Sequence, residues 1–169
     1  MYVPSDDTFL LADCIKQYRG RQALEIGVGS GLLLNLLEKN FASVAGSDID
    51  LRALEHCRGR SRAMLACCDA ASAFAGMFDL IVSNPPYLPD DKVRETTVHG
   101  GPAGIETTIH FIQSALPLLA HDGRMLFVIS SLADSSALDR LVTEKNMRAK
   151  VRREKRLFYE TLSVVELNR

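Results

Sequence analysis

Apolar runs and amphipathic segments alternate along most of this 169-residue chain, and the alternation limits the folds that it can adopt. Strands that alternate with helices predict a parallel sheet with helices on both faces. Near the end two predicted strands follow each other with only a bend between them, and such a hairpin places one antiparallel strand in the sheet. We therefore predict an α/β three-layer sandwich with a reversed last strand. The predicted strands are ALEIGVG, SVAGSDI, AMLACC, FDLIVSN, RMLFVIS after a turn at Gly123, and two within AKVRREKRLFYETLSVVELNR.

Length and composition are typical of one globular domain. Hydrophobic residues make up 47% of the chain and charged residues 24%, which is ordinary for such proteins. No repeat or composition break divides the sequence, so we treat residues 1–169 as a single domain. The net charge of −1 gives no overall attraction to nucleic acid or to an anionic membrane. The dense basic run RAKVRREKR, Arg148–Arg156, is interpreted as a solvated edge strand.

The four cysteines do not form a metal-binding pattern. They include no C-x-x-C pair and no matching histidine spacing, and we interpret the adjacent Cys67 and Cys68 as small apolar residues that fill a strand. No signal peptide is evident, and no apolar run approaches the roughly 20 residues of a membrane-spanning helix. The sequence therefore predicts a cytoplasmic protein without a metal site.

A glycine-rich turn follows the first predicted strand. Gly27, Gly29 and Gly31 are spaced G-x-G-x-G, and Leu32 stands where a dinucleotide fingerprint has its third glycine. Ligands of open α/β sheets bind at the carboxyl ends of strands, where glycines let a ligand approach the backbone. Alone, this pattern fits a tight strand-to-helix turn as well as a nucleotide-like ligand.

Acidic residues near this turn favour a cationic ligand. Asp48 ends the second strand, about 20 residues after the first glycine, where a carboxylate can accept both hydroxyls of a ribose. Asp50 is the better candidate for capping the next helix. Burying Glu25 in the first strand is costly without a partner, and a cationic ligand supplies one whereas a pyrophosphate is repelled. Asp69, which follows the third strand, is either an acceptor for an adenine amine or a turn residue.

The stretch SNPPYLP ends the fourth strand abruptly. Asn84 offers a side-chain carbonyl, and Pro85 and Pro86 lack N–H groups and hold the neighbouring carbonyls rigid. Two fixed acceptors can take both hydrogens of an –NH₂ group, and Tyr87 can pack its ring on the planar group that carries it. Orientation lowers the barrier for a poor nucleophile. A simple proline-terminated strand is the alternative.

These motifs together resemble the class I S-adenosylmethionine-dependent methyltransferases of the HemK type, in their archaeal and eukaryotic branch. These enzymes methylate the glutamine of the Gly-Gly-Gln motif in translation termination factors. The similarity covers nearly the whole chain and implies a Rossmann-like sandwich with a seven-stranded sheet. The matching stretches are YVPSDDTFLLAD, LEIGVGSG, SDID, DLIVSNPPYLP, GGPAGIE and LFYETLSVVEL. GGPAGIE departs from the more polar and basic stretch of eukaryotic relatives.

The resemblance implies a role for each matching residue. Asn84 and Pro85 hold the glutamine amide, Tyr87 lines its pocket, and S-adenosylmethionine donates the methyl group. Thr8 lies near the methionine end of the cofactor, although Asp6, Asp7 and Thr8 also fit a helix start. The residues that we assign to the cofactor are Thr8, Glu25, Gly27, Gly29, Gly31, Asp48, Ile49, Asp69, Ala70 and Asn84.

Other acceptors carry a planar amine or a simple amine as well. Among these acceptors we rank the glutamine of a protein first. An exocyclic amine of adenine or guanine ranks second, because the enzyme must flip the base out of its stack and hold the charged backbone. A protein lysine ranks third. A nicotinamide-dependent oxidoreductase or a binding module is the rival class. An oxidoreductase requires a placed acid such as histidine, and none of the four histidines stands in such a motif.

The third predicted strand indicates a binding site for a partner protein. AMLACC, Ala63 to Cys68, is expected at one edge of the sheet and has neither charge nor proline, so its free backbone groups can accept a strand from another protein. The resemblance implies that a small zinc-binding activator subunit binds there, beside the peptide release factor as protein substrate. A homodimer or a covering loop is the alternative.

Overall fold

The computed structural model describes residues 3–90 and 97–169. Its helices are α1 (Asp6–Ile15), α2 (Leu32–Leu37), α3 (Leu51–Cys57), α4 (Glu106–Ala115) and α5 (Ser136–Glu144), with a 3₁₀ turn over Leu116–Leu118. Its strands are β1 (Gly20–Ile26), β2 (Phe41–Asp48), β3 (Met64–Cys67), β4 (Phe78–Ser83), β5 (Leu119–Ser130), β6 (Arg148–Arg156) and β7 (Thr161–Asn168).

The strands form one sheet in the order β3-β2-β1-β4-β5-β7-β6. Pairs from β3 to β5 are parallel, whereas β7 is antiparallel to both β5 and β6. The mostly parallel seven-stranded sheet with a reversed last strand confirms the predicted α/β fold. The strand order also confirms that β3 lies at an edge.

The core lies on both faces of the sheet because successive strand residues point to opposite sides. On one face Ala23 of β1 packs with α1 and α2, and the fully buried residues there include Leu11 and Leu34. On the other face Leu24 and Ile26 pack with α4 and α5. Since Glu25 lies between Leu24 and Ile26, the alternation directs its carboxyl group toward the face of α1 and α2.

Two details differ from the sequence-based expectations. β5 begins at Leu119, so Gly123 lies inside the strand and not in a turn before it. The pairing with β4 shifts register there, and a Cβ on Gly123 would lie 2.8 Å from the carbonyl oxygen of Phe78. The interpretation of Cys67 as a packed apolar residue is wrong, because Cys67 ends the short β3 and is exposed.

Within residues 3–90 and 97–169, no helix is long and apolar enough to cross a membrane. The same residues contain no group of three or more His, Cys, Asp or Glu side chains arranged to hold a metal ion.

Candidate active site

A cavity of about 650 Å³ opens at the carboxyl ends of β1, β2 and β4. This is the edge at which open α/β sheets bind ligands, and the volume is typical of small-molecule sites. Most residues that the sequence singled out line this cavity: Thr8, Glu25, Gly27, Gly29, Asp48, Ile49, Asp69, Ala70, Asn84, Pro85 and Tyr87.

Glu25 places a carboxyl group in the wall of the cavity. Its side chain is buried, and Oε2 has no hydrogen-bond partner among the described residues. Burial raises the pKa of Glu25 well above its usual range, the negative charge of Asp48 adds to that rise, and the backbone N–H of Leu34 opposes it. A cation bound beside Oε2 would therefore stabilise the ionised form.

The glycine turn and Asp48 form one unit. The Asp48 carboxylate accepts a hydrogen bond from the backbone N–H of Gly29 at 3.0 Å through Oδ2, and from that of Asp50 at 2.9 Å through Oδ1. Gly27 and Gly29 adopt φ values of +79° and +46°, and a Cβ on either would meet no atom within 4 Å. Both glycines therefore border open space in which a ligand can approach the backbone. Asp50 caps α3, as expected.

Gly31 lies beyond the cavity wall, at the start of α2. Its φ is +77°, and a Cβ there would lie 2.7 Å from Cys57 Sγ. The position thus accommodates close packing of α2 on α3. The contact of Gly31 with the cofactor stays a prediction.

Asp69 is paired with a histidine that the sequence analysis did not connect to it. His110 Nε2, from α4, lies 2.8 Å and 3.0 Å from the two carboxylate oxygens of Asp69. Both side chains are more than half exposed at the rim of the cavity. No local motif could reveal this pair, since the two residues are 41 positions apart.

Asn84 joins the end of β4 to the start of α1. Its Nδ2 donates a hydrogen bond to Thr8 Oγ1 at 3.3 Å. Its Oδ1 is buried and has no hydrogen-bond partner in the described part of the chain. Asn84, which lines the cavity, therefore has an amide oxygen whose position is fixed and whose accepting capacity is unused.

Asp7 organises this corner, and the sequence analysis treated it only as a helix-start residue. Its carboxylate is buried and accepts from the Tyr87 hydroxyl at 2.9 Å, from Thr8 N at 2.5 Å and from Thr8 Oγ1 at 3.1 Å. The Asp7 carboxylate thus positions both the side chain of Tyr87 and that of Thr8, whose hydroxyl accepts the hydrogen bond from Asn84.

The loop after β4 is held by Val98 and by the glycine-rich stretch GGPAG, residues 100–104. Tyr87 N and Leu88 N donate to the carbonyl of Val98 at 3.2 Å and 3.0 Å. A Cβ on Gly100 would lie 2.3 Å from the Pro86 carbonyl oxygen, and one on Gly104 would lie 2.7 Å from that of Tyr87. Only glycine allows this close approach of the two backbones.

These features fit S-adenosylmethionine. The unpartnered buried carboxyl oxygen of Glu25 suits the cationic amino group of its methionine part, and the two glycines leave room beside the backbone. Asp48 has the acidic character that ribose hydroxyls require. The fit rests on donor chemistry and open space, and it favours a cationic nucleoside over a pyrophosphate.

Comparison with known proteins decides the family. The model of the methyltransferase small domain matches residues 5–157. The chain belongs to this family. The match confirms the methyltransferase resemblance, and it includes every residue assigned to the cavity.

Individual relatives of this methyltransferase carry names that point to glutamine. A release factor glutamine methyltransferase of Bradyrhizobium diazoefficiens is 32% identical over 151 residues, and the match covers 73% of the chain but only 51% of that relative. A putative protein N5-glutamine methyltransferase of Methanocaldococcus jannaschii is 29% identical, with 78% of the chain and 73% of the relative covered. The chain thus spans about half the length of the Bradyrhizobium relative.

Among solved structures, the E. cuniculi Mtq2-Trm112 complex, described as responsible for methylation of the eRF1 translation termination factor, has a TM-score of 0.83 at 22% identity. That match covers 99% of the chain and 98% of its counterpart. Methylases named for ribosomal RNA share the fold at TM-scores of 0.68 and 0.69.

Proposed function

We propose that the protein is an S-adenosylmethionine-dependent N-methyltransferase whose acceptor is the side-chain amide of the glutamine in the Gly-Gly-Gln motif of a peptide release factor. One observation carries the proposal: Asn84 Oδ1 is a buried acceptor without a partner among the described residues, held beside Thr8 and within the same cavity as Glu25 and Asp48. Such an oxygen is suited to an N–H of an amide that enters the cavity.

When bound, S-adenosylmethionine supplies an electrophilic methyl group on its sulfonium. Asn84 Oδ1 accepts from the amide nitrogen of the glutamine and orients that nitrogen for attack. Tyr87, fixed by its bond to Asp7, bounds the acceptor pocket with its ring. The nitrogen becomes more positive as it takes the methyl group, and the carbonyl dipole of Asn84 stabilises the developing charge. As the N–C bond forms, the bond between the methyl group and the sulfonium sulfur would break to leave a thioether. The nitrogen would then release its extra proton to water, so no strong base is required before transfer.

A nucleic-acid amine is the competing acceptor, because Asn-Pro-Pro-Tyr can hold any planar amine. A protein acceptor is favoured by the names of the relatives that match over most of the chain. The net charge of −1 also gives no general attraction to a nucleic-acid backbone.

The test is methyl transfer from labelled S-adenosylmethionine to a full-length recombinant release factor. We expect label on the wild-type factor and none on the same factor with the motif glutamine replaced. Transfer to unmodified transfer or ribosomal RNA, with no transfer to the factor, would contradict the proposal and support the nucleic-acid amine.

We further propose that the β3 edge, Ala63 to Cys68, binds a small zinc-binding activator subunit. Met64 is 65% exposed and the neighbouring Ile49 is 78% exposed, and among the strands that the structure describes β3 is paired only with β2. An apolar edge with free backbone groups can accept a strand from a partner. The E. cuniculi neighbour is a complex with a second protein.

Co-expression with a candidate activator tests this edge. We expect the activator to raise the yield and activity of the wild-type protein and to have less effect on Met64→Lys, which places a charge on the edge. Equal stimulation of both proteins would show that the subunit binds elsewhere.

A further inference from the structure

The hairpin between β6 and β7 exposes two aromatic side chains. Phe158 and Tyr159 at its tip are 91% and 84% exposed, the highest fractions among the large hydrophobic residues that the structure describes. Their ring centroids are 4.6 Å apart and the rings are nearly perpendicular. Contiguous exposed apolar groups of this kind are a feature of interaction sites.

The hairpin lies at the same end of the sheet as the cavity. Ser130, at the carboxyl end of β5, is paired with Leu162, and Arg156 is paired with Thr161. Lys155 Nζ lies 2.7 Å from the carboxylate of Asp6. The next residue of α1, Asp7, holds Tyr87 in the acceptor pocket.

β6, which forms one arm of the hairpin, carries cations along its whole length. Six of its nine residues are Lys or Arg, and all nine are exposed. Three of the cations pair with carboxylates of Glu166, Asp13 and Asp6. For Arg148, Lys150 and Arg156, no ion pair is found in residues 3–90 and 97–169. Arg156 lies at the hairpin end, opposite Thr161, whereas Arg148 and Lys150 lie toward the other end of the strand, opposite Asn168 and Glu166.

The shape of β6 disfavours a partner that adds a strand. Its register shifts between Val151 and Arg153, and a bulge together with charged side chains blocks strand addition. A partner protein would therefore contact the side chains of the hairpin and would not pair with the backbone of β6. Arg156, for which no ion pair is found among the described residues, favours an acidic contact on that partner.

We propose that the hairpin patch, Arg156, Phe158 and Tyr159, docks the methyl-acceptor protein through an acidic surface with an apolar centre, outside its reacting glutamine. This rests on the proposed function. A glutamine side chain fills only the inner end of the cavity, so the body of the acceptor lies across the rim. Aromatic and arginine side chains are enriched at protein interfaces.

The test compares two acceptors, the full-length release factor and a short peptide that contains its Gly-Gly-Gln motif. For the double variant Phe158→Ala/Tyr159→Ala, we expect KM for the full-length factor to rise roughly tenfold or more, as for central interface residues. Its kcat for the factor and its kinetics with the peptide should stay unchanged. Arg156→Glu should raise the same KM, and added salt should reduce that effect.

Met77→Ala and Lys39→Glu are the matched controls, because they remove an exposed apolar group and reverse a charge near the opposite end of the sheet. Wild-type kinetics of the hairpin variants with the full-length factor would overturn the docking proposal alone. Loss of RNA binding in those variants with an unchanged KM for the factor would also overturn it. If the wild-type protein methylates neither acceptor, the proposed function fails and the docking proposal fails with it.

Discussion

Two side-chain oxygens in the cavity wall, Oε2 of Glu25 and Oδ1 of Asn84, are buried and lack a hydrogen-bond partner among the described residues. An unsatisfied buried acceptor costs about 1–3 kcal/mol. Since a leucine or an alanine would avoid that cost, the two groups mark positions where a ligand completes the site. Glu25 suits a cation, whereas Asn84 suits an N–H donor.

We expect Asn84→Ala to lower the rate of methyl transfer by about 10²–10³, the usual effect of removing one group that stabilises developing charge. Cofactor affinity should fall much less, because Glu25, Asp48 and the glycine turn are unchanged. Single-turnover kinetics beside calorimetry with the cofactor measure the two effects. Asn35→Ala, the same change on an exposed face of α2, is the control, and near-normal transfer by Asn84→Ala would refute the assigned role.

Glu25 should make the stability of the ligand-free protein depend on pH. Below about pH 4.5, its ordinary pKa, the carboxyl group is protonated in both the folded and the unfolded chain. Above that pH the unfolded chain ionises first, because burial raises the pKa in the folded state, so the free energy of unfolding falls as the pH rises. Glu25→Gln should remove this loss and stabilise the ligand-free protein at neutral pH.

Thermal unfolding of both proteins between pH 5 and pH 8, with and without S-adenosylmethionine, measures this effect. The wild-type protein should gain more stability from the cofactor than Glu25→Gln does, because a bound cation favours the ionised carboxylate. Glu55→Gln removes an exposed carboxylate from α3 and serves as the control. Parallel pH curves for wild type and Glu25→Gln would show that Glu25 is not the responsible group.

At the scale of elements, the acceptor side of the site is formed by two loop segments whose backbones are in contact, the Asn-Pro-Pro-Tyr loop and the segment from Val98 to Gly104. In the Asn-Pro-Pro-Tyr loop, neither proline has a backbone N–H to donate. The backbone N–H groups of Tyr87 and of the following Leu88 both donate to the carbonyl of Val98. Gly100 and Gly104 let the second backbone approach the first. The position of Asn84 thus depends in part on Gly100 and Gly104, which do not line the cavity.

We expect Gly100→Ala to lower methyl transfer while cofactor affinity changes little. A Cβ would lie 2.3 Å from the Pro86 carbonyl oxygen, so the loop must shift away from its place beside the cavity. A displacement of about 1 Å can reduce a rate by about 100-fold. Kinetics with a saturating acceptor, beside cofactor binding, separate the two effects, and unchanged transfer would show that the loop absorbs the extra methyl group.

At the scale of the whole molecule, local patterns predicted the sheet well, since strand periodicity and glycine turns are properties of neighbouring residues. They also predicted that Glu25 and Asp48 share one edge, because parallel strands end together. The link from Asp7 to Tyr87 and the pair of Asp69 with His110 could not be predicted. Each joins residues far apart in sequence, and each depends on the exact packing of a helix against the sheet.

A buried carboxylate also ties several elements together away from the cavity. Glu166 of β7 accepts from the Tyr18 hydroxyl and lies 3.5 Å from Arg124 and 3.7 Å from Arg152. Burial and the bond to Glu166 raise the pKa of Tyr18. The cluster connects the segment after α1 with three strands.

We expect Tyr18→Phe to lower the free energy of unfolding by about 1–3 kcal/mol, because it removes a donor from a buried carboxylate. Urea unfolding measures the change, and methyl transfer by the folded variant should be normal. Tyr159→Phe, at an exposed position, should leave stability unchanged. A stability of Tyr18→Phe equal to that of the wild type would mean that Arg124 and Arg152 alone satisfy Glu166.

The position of β7 between β5 and β6 has a consequence for the order of folding during synthesis. After β1, each strand from β2 to β5 can join a neighbour that is already made, since β2 and β4 add to β1, β3 adds to β2 and β5 adds to β4. β6 cannot, because its neighbour in the sheet is synthesised after it. β6 therefore emerges from the ribosome without a strand to pair with, and it finds its place only when Thr161–Asn168 has followed and filled the gap beside β5.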